Sequence, residues 1–197
     1  MKKTTLYTCL CLLFLSGCAG HPTVYPGKTE AGKTLYTYTF SGENLFPVYN
    51  IHRGLSTKWD ANLHVGIPFW GSGCSFTYLA KGYPGSIRMT KVNVGYIFQQ
   101  NQSVDLTLIK EWHNPYSTLS SIMAGPRGTW IISDVANNRA LRFGFVSGLA
   151  FKRKVLFECG YTHDFTLGKD RRDPVSQLPT GHHPITGVSV RVVVGSW

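Results

Sequence analysis

Charge is scarce in this sequence, and negative charge is scarcest. Asp, Glu, Lys and Arg together make up 15% of 197 residues, against about 25% in ordinary soluble domains. Acidic residues number 10 against 20 basic ones, for a formal net charge of +10. No apolar stripe at helical spacing runs longer than about two turns, which excludes a helical bundle. No apolar run reaches the roughly 20 residues that a membrane-spanning helix needs. Neither Gly-x-Ser-x-Gly nor His-x-Ser occurs, so two familiar serine-hydrolase signatures are missing. Cysteine is too sparse for a disulfide framework: 5 in all, with Cys9, Cys11 and Cys18 close to the N-terminus and only Cys74 and Cys159 beyond.

Aromatic residues and glycine are plentiful. Aromatics reach 13% and glycines number 21. Low charge combined with many aromatics and glycines suits a chain that turns much of its surface to lipid. The cationic surplus is not gathered on a helix and belongs to no nucleic-acid motif, so no nucleic-acid partner is expected. It fits attraction to anionic lipid head groups or lipopolysaccharide phosphates.

The N-terminus carries a leader. Lys2 and Lys3 form a short positive region, and the apolar run Leu6 to Leu15 follows. Such a segment reads as a secretory signal, outside the fold. It ends in Leu15-Ser16-Gly17-Cys18, which resembles the bacterial lipobox: a branched apolar residue, two small ones and a cysteine. The resemblance to bacterial lipoproteins implies cleavage before Cys18, acylation of its sulfur and an acyl anchor. Ala19, where aspartate would retain a lipoprotein in the inner membrane, points to the outer membrane. Loss of the 17-residue leader leaves 180 residues, enough for one domain, and lowers the formal charge to +8.

Residues 18–33 hold Pro22, Pro26 and three glycines without periodicity, and read as a lipidated tether. From 34 to 197 alternation dominates. Ten segments are expected: 34–41, 48–56, 59–67, 73–80, 87–98, 103–112, one within 118–133, 140–151, 155–165 and 185–195. In the first, Tyr36, Tyr38 and Phe40 oppose Thr37 and Thr39; in the ninth, Phe157, Cys159 and Tyr161 oppose Glu158, Gly160 and Thr162. The seventh is interrupted by Gly125-Pro126-Arg127-Gly128. The expected fold class is all-β, an antiparallel up-and-down β-barrel of about ten strands, with eight as the alternative. Strands of 9–11 residues are typical of a transmembrane barrel.

Alternation does not say which face is inside. A soluble, lipocalin-like barrel holding an apolar ligand would alternate too. Sparse charge on the polar faces (Lys91, Asp105, Arg142, Glu158, Arg191) suits a narrow lumen. Phe69, Trp70, Tyr96, Phe98, Trp112, Tyr116, Trp130 and Trp197 lie near segment ends, as interfacial girdles do. The stretch Gly187 to Trp197 resembles the outer-membrane assembly signal, an alternating last strand ending in an aromatic. It departs from that signal in phase, because Trp197 shares a face with Arg191 and Ser189. Small outer-membrane-type barrels are thus the implied family of folds. The implied location is the outer membrane, with the N-terminus on the periplasmic side and the 166–184 connection outside.

No catalytic residue, cofactor or metal site is assigned; Cys18 is the one expected site residue, for lipid attachment. A lipid-modifying enzyme would need a nucleophile and base near an interface. His163-Asp164 is the nearest approach, but neighbours on a strand face opposite ways. His182-His183 and the run Lys169 to Asp173 read as solvated loop. His52 and His64 read as lumen hydrogen-bonders, Glu158 with Arg142 as an interior ion pair, and Cys74 and Cys159 as small hydrophobes, with a bridge between them left open.

Overall fold

Period-two alternation sustained over ten segments leaves each strand with one apolar and one polar face. An open sheet of such strands would also expose two unpaired edges. Closure into a ring removes the edges. The computed structural model describes residues 24–41, 47–66, 72–98, 102–114, 116–133, 139–164 and 188–195. Within them the chain forms β1 (Thr34–Ser41), β2 (Val48–Gly54), β3 (Trp59–Gly66), β4 (Gly73–Lys81), β5 (Arg88–Ile97), β6 (Gln102–His113), β7 (Leu119–Ser133), β8 (Ala140–Phe151), β9 (Val155–Asp164) and β10 (Val188–Gly195). Each strand pairs antiparallel with its sequence neighbours, and β1 pairs with β10 to close the barrel. The seam runs in register from Thr37↔Gly195 to Ser41↔Arg191.

The end of the barrel where β1 begins is called the near rim here. It also holds the ends of β2, β4, β6 and β8 and the turn Lys152–Lys154, which joins β8 to β9. That turn places Lys152 and Arg153 at φ 47° and 55°, and Lys154 N–H donates to the Phe151 carbonyl at 2.9 Å. Two successive positive φ values across an i to i+3 bond define a type I′ hairpin, whose twist matches that of the flanking strands.

The apolar faces point outward. Leu106, Val190, Phe143 and Phe145 are each more than half exposed, and Tyr36, Phe76, Leu149 and Phe157 lie on the same outer surface. The inner surface is mostly polar, with Thr37, Asn50, His64, Ser75, Asn93, Asp105, Thr129 and Arg191 buried there. An apolar patch breaks this pattern near the near rim, where Ile109, Met123, Val146, Ala150, Leu156 and Val193 form a buried cluster around Val24.

Two expectations need correction. The run Gly125-Pro126-Arg127-Gly128 does not interrupt β7: its register with β8 continues through Gly125↔Val146, Pro126↔Phe145, Arg127↔Gly144 and Gly128↔Phe143. Pro126 points outward and contributes no N–H to the ladder. Gly125 is required by close backbone approach, since a Cβ there would sit 1.8 Å from the Leu108 carbonyl oxygen. The second correction concerns the tether. Its described part, 24–33, lies against the inside of the near rim and packs there.

Candidate functional site

The lumen is where this chain concentrates its unusual chemistry. Alternation sends Lys91 on β5, Glu111 and His113 on β6 and Ser121 on β7 inward, at successive levels toward the near rim: Lys91 is in register with Ile109, Glu111 with Met123 and His113 with Ser121. Lys91 Nζ and Glu111 Oε2 pair at 2.6 Å, both almost fully buried. Such a pair is costly to desolvate and must be satisfied on all sides. Ser121 Oγ donates to Glu111 Oε1 at 2.5 Å, and the remaining partners come from the N-terminal segment. Gly27 N–H donates to Glu111 Oε1 at 2.6 Å. Lys91 Nζ donates to the Gly27 carbonyl at 3.1 Å and to the Tyr25 carbonyl. The ion pair thus grips the backbone of 25–27 without reading any side chain there.

The segment crosses the near mouth of the barrel from one wall to the other. Val24 sits in the apolar cluster of β6 to β10. The Tyr25 phenol accepts a hydrogen bond from Thr37 Oγ1 at 3.0 Å and lies 3.5 Å from Thr39 Oγ1, with its ring edge-on to His52. Burial pushes that phenol's pKa up, so it stays a neutral hydroxyl. Lys28 Nζ pairs with Asp60 Oδ1 at 2.6 Å and donates to the Ser56 carbonyl at 2.9 Å. Ala31 forms a parallel bridge with Gly54, and Gly32 N–H donates to the Gly54 carbonyl at 2.8 Å. A Cβ at Gly54 would lie 2.2 Å from the Glu30 carbonyl oxygen, so glycine is what lets the segment pass. We refer to 24–33 as the plug.

Beyond the plug the lumen remains polar. Glu158 Oε1 lies 3.6 Å from both Arg127 Nη1 and Arg191 Nη1. The expected partner Arg142 is on the neighbouring strand but at the wrong height. Glu158 is in register with Gly148, six residues along β8 from Arg142, a separation of roughly 20 Å at the strand rise. Arg127 Nε also donates to Thr107 Oγ1 at 3.0 Å, and Thr129 Oγ1 donates to Asp105 Oδ1. Between the plug and the β2–β4 wall lies a cavity of about 330 Å³, lined by His52, Asn62, Ser75, Thr77 and the Lys28–Asp60 pair. His52 Nε2 faces Thr37 Oγ1 at 3.5 Å, as a lumen hydrogen-bonder would. The ring nitrogens of His64, the amide of Asn62 and the Ser75 hydroxyl have no hydrogen-bond partner among the described residues.

Ser121, His113 and Glu111 resemble a nucleophile, base and orienter but are wired in another order. In a hydrolytic triad the histidine stands between the other two and takes the serine proton. Here the serine stands in the middle: its hydroxyl proton goes to Glu111, and His113 Nδ1 meets Ser121 Oγ at 2.7 Å. His113 is therefore left donating to the serine, and Glu111 is committed to Lys91 and the plug. The cluster is a socket.

Among the described residues no group of three or more His, Cys, Asp or Glu side chains could hold a metal. His163 is on the outer side of β9, opposite in phase to the inward Thr162. Cys74 on β4 and Cys159 on β9 are free thiols on the outer surface, on strands that are not neighbours, which closes the question of a bridge between them. Cys18, Phe69, Trp70, Trp197, the run Lys169 to Asp173 and His182-His183 lie outside the described residues. The plug was not legible in advance: Val24 and Tyr25 stand among prolines and glycines and show no period. No family model, no curated protein and no solved structure matches this chain.

Proposed function

We propose that this chain is a lipid-anchored barrel of the outer membrane, held at Cys18 on the periplasmic side. Its strands span the bilayer, and its lumen is closed at the near mouth by its own N-terminal segment. The observation that carries this reading is the inverted polarity of the wall. Large apolar side chains cover the outside while lysine, arginine, glutamate and aspartate are buried inside. Water would penalise that outer surface heavily, since each large side chain left in water forgoes about 1.5–3 kcal/mol. A barrel that stored an apolar ligand would turn those faces inward. The filled mouth favours a structural or surface-interaction role in the envelope over bulk passage of solutes, with minor permeation as the most that the lumen would allow.

Exporting a Cys18→Ala chain behind a cleavable leader tests this. The protein is expected to remain in the membrane fraction, resist carbonate extraction, require detergent and migrate faster on gels before boiling than after. A folded, water-soluble monomer in periplasmic extract would sink the reading.

A further inference from the structure

The lumen and the near rim divide the charge between them. Among the described residues every acidic side chain on a strand whose burial is known points inward: Asp60, Asp105, Glu111 and Glu158. The near rim is the reverse. Arg53, Lys58, Lys81, Arg88 and Lys110 are exposed around it, together with all three residues of the Lys152–Lys154 turn. None of these eight forms an ion pair among the described residues; the one exposed acid beside them, Glu30, is taken by Lys33. The opposite end differs already in sequence. Its connections, 42–47, 67–72, 98–101, 134–139 and 165–187, contain four basic and four acidic residues.

Three features make this ring more than surplus charge. It is distributed around the circumference, on β2, β4, β5, β6 and two turns, as a planar partner would require and a compact protein patch would not. It coincides with aromatic residues: Arg88 is in register with Trp112, and Trp59 at the start of β3 and Tyr83 in the β4–β5 turn stand exposed at the same end. Aromatic rings and long cationic side chains at the edge of an apolar wall occupy the head-group layer, with methylene stems against the wall and charges in the interface. Finally, the type I′ turn is built from Lys152 and Arg153, at positions where Asn-Gly is favoured because L side chains rarely adopt positive φ. The turn keeps its charges against the preference of its own backbone.

From this arrangement we infer that the near rim is a binding surface for the phosphates of anionic glycerophospholipids in the leaflet that also takes the Cys18 anchor. This rests on the reading of the wall as membrane-spanning and adds which lipids the rim selects. Each cation near an anionic surface adds attraction that salt weakens.

The test uses the mature acylated protein in phosphatidylcholine vesicles. Two variants each retain a single tryptophan, Trp112 at the near rim or Trp130 toward the other end, with phenylalanine replacing the rest. Quenching by brominated phosphatidylglycerol is compared with quenching by brominated phosphatidylcholine. The anionic lipid is expected to quench Trp112 several-fold more effectively, and Trp130 about equally. Adding Lys152→Asn with Arg153→Gly, which also relieves the turn, and Lys110→Gln is expected to bring the Trp112 preference down to near parity. The thermal midpoint in neutral detergent should not fall. If the single-tryptophan chains do not fold, the midpoint of the otherwise unaltered chain in phosphatidylglycerol against phosphatidylcholine micelles reads the same preference. Equal quenching of Trp112 by both lipids, a preference at Trp130 instead, or a preference that survives the charge removal would each overturn the inference. In those cases an inserted protein still leaves the spanning wall intact, whereas failure to insert strikes at the wall itself.

Discussion

The wall of this barrel is low on one side and tall on the other. β10, β1, β2 and β3 are only 7 or 8 residues long, whereas β6, β7 and β8 have 12, 15 and 12. At a tilt of about 40°, an eight-residue strand spans about 20 Å and a fifteen-residue strand about 40 Å. The low wall falls about 5 Å short of an apolar band of about 25 Å. Its outer surface is correspondingly rich in tyrosine: Tyr36, Tyr38 and Tyr49 lie together, with Tyr38 and Tyr49 ring centroids 5.2 Å apart. The tall wall carries leucine, isoleucine and phenylalanine. The two walls also use the plug differently. The tall wall holds it through a buried ion pair and an apolar cluster, the low wall through a backbone bridge at Gly54 and the Lys28–Asp60 pair. Where strands are short, the plug supplies the hydrogen bonds that longer strands would have made.

If the tall wall is the stable half, its socket should be the most sensitive point. Glu111→Ala leaves Lys91 charged and buried without a counter-charge, and should cost about 3–5 kcal/mol. Urea unfolding in detergent, followed by the shift of the heat-modifiable band, would show it. The double variant Lys91→Met/Glu111→Leu should recover much of that loss; equal losses would mean the ion pair does not act as a unit.

Gly125→Ala strikes the same wall through its backbone. The added Cβ cannot coexist with the Leu108 carbonyl, and about 3 kcal/mol is expected. The expected signature is a lower midpoint together with loss of slow amide exchange in β6 and β7. Slow exchange preserved there would argue that the two strands can separate at no cost.

Gly54→Ala should act on the low wall alone. Moving the plug off Gly54 breaks one backbone bridge and two hydrogen bonds, worth about 1–2 kcal/mol. The strands remain paired, so the gel shift should persist while cleavage after Lys28 or Lys33 accelerates. Unchanged cleavage would mean that the Lys28–Asp60 pair holds the segment unaided. Glu30→Gln, which breaks only an exposed pair with Lys33, should leave the midpoint where it was. A measurable drop would show that the low wall depends on its surface charges.

Most of the wall could be read from the sequence, because a barrel repeats one rule along every strand. Alternation placed Lys91, Asp105, Arg142, Glu158 and Arg191 on the polar face, and those residues are buried. What alternation lacks is height. It records the face of a residue but not its level relative to other strands, which is why Glu158 was matched with Arg142 when Arg127 and Arg191 stand beside it. Proline at 126 was misleading for a related reason: proline is rare in a central strand, and here Gly125 provides the close approach that keeps β7 continuous. The plug was invisible because Val24, Tyr25 and Lys28 follow no period, and the rest of its hold on the wall is through backbone groups of Tyr25, Gly27, Ala31 and Gly32, which leave no mark on composition.

The position of the plug in chain order bears on how the barrel comes together. Every pairing in the wall is a hairpin between consecutive strands except the seam, where Thr37 meets Gly195. That contact closes a loop of most of the chain and is the slowest to find. The plug, however, is continuous with β1, and its partners Asp60, Lys91 and Glu111 all lie on strands before the last. As each hairpin is added, its inward charges meet partners on a segment that already exists, so the sheet can curl around it as around a mandrel. Curvature would then be set before closure, and β10 would have only a short gap left to cross.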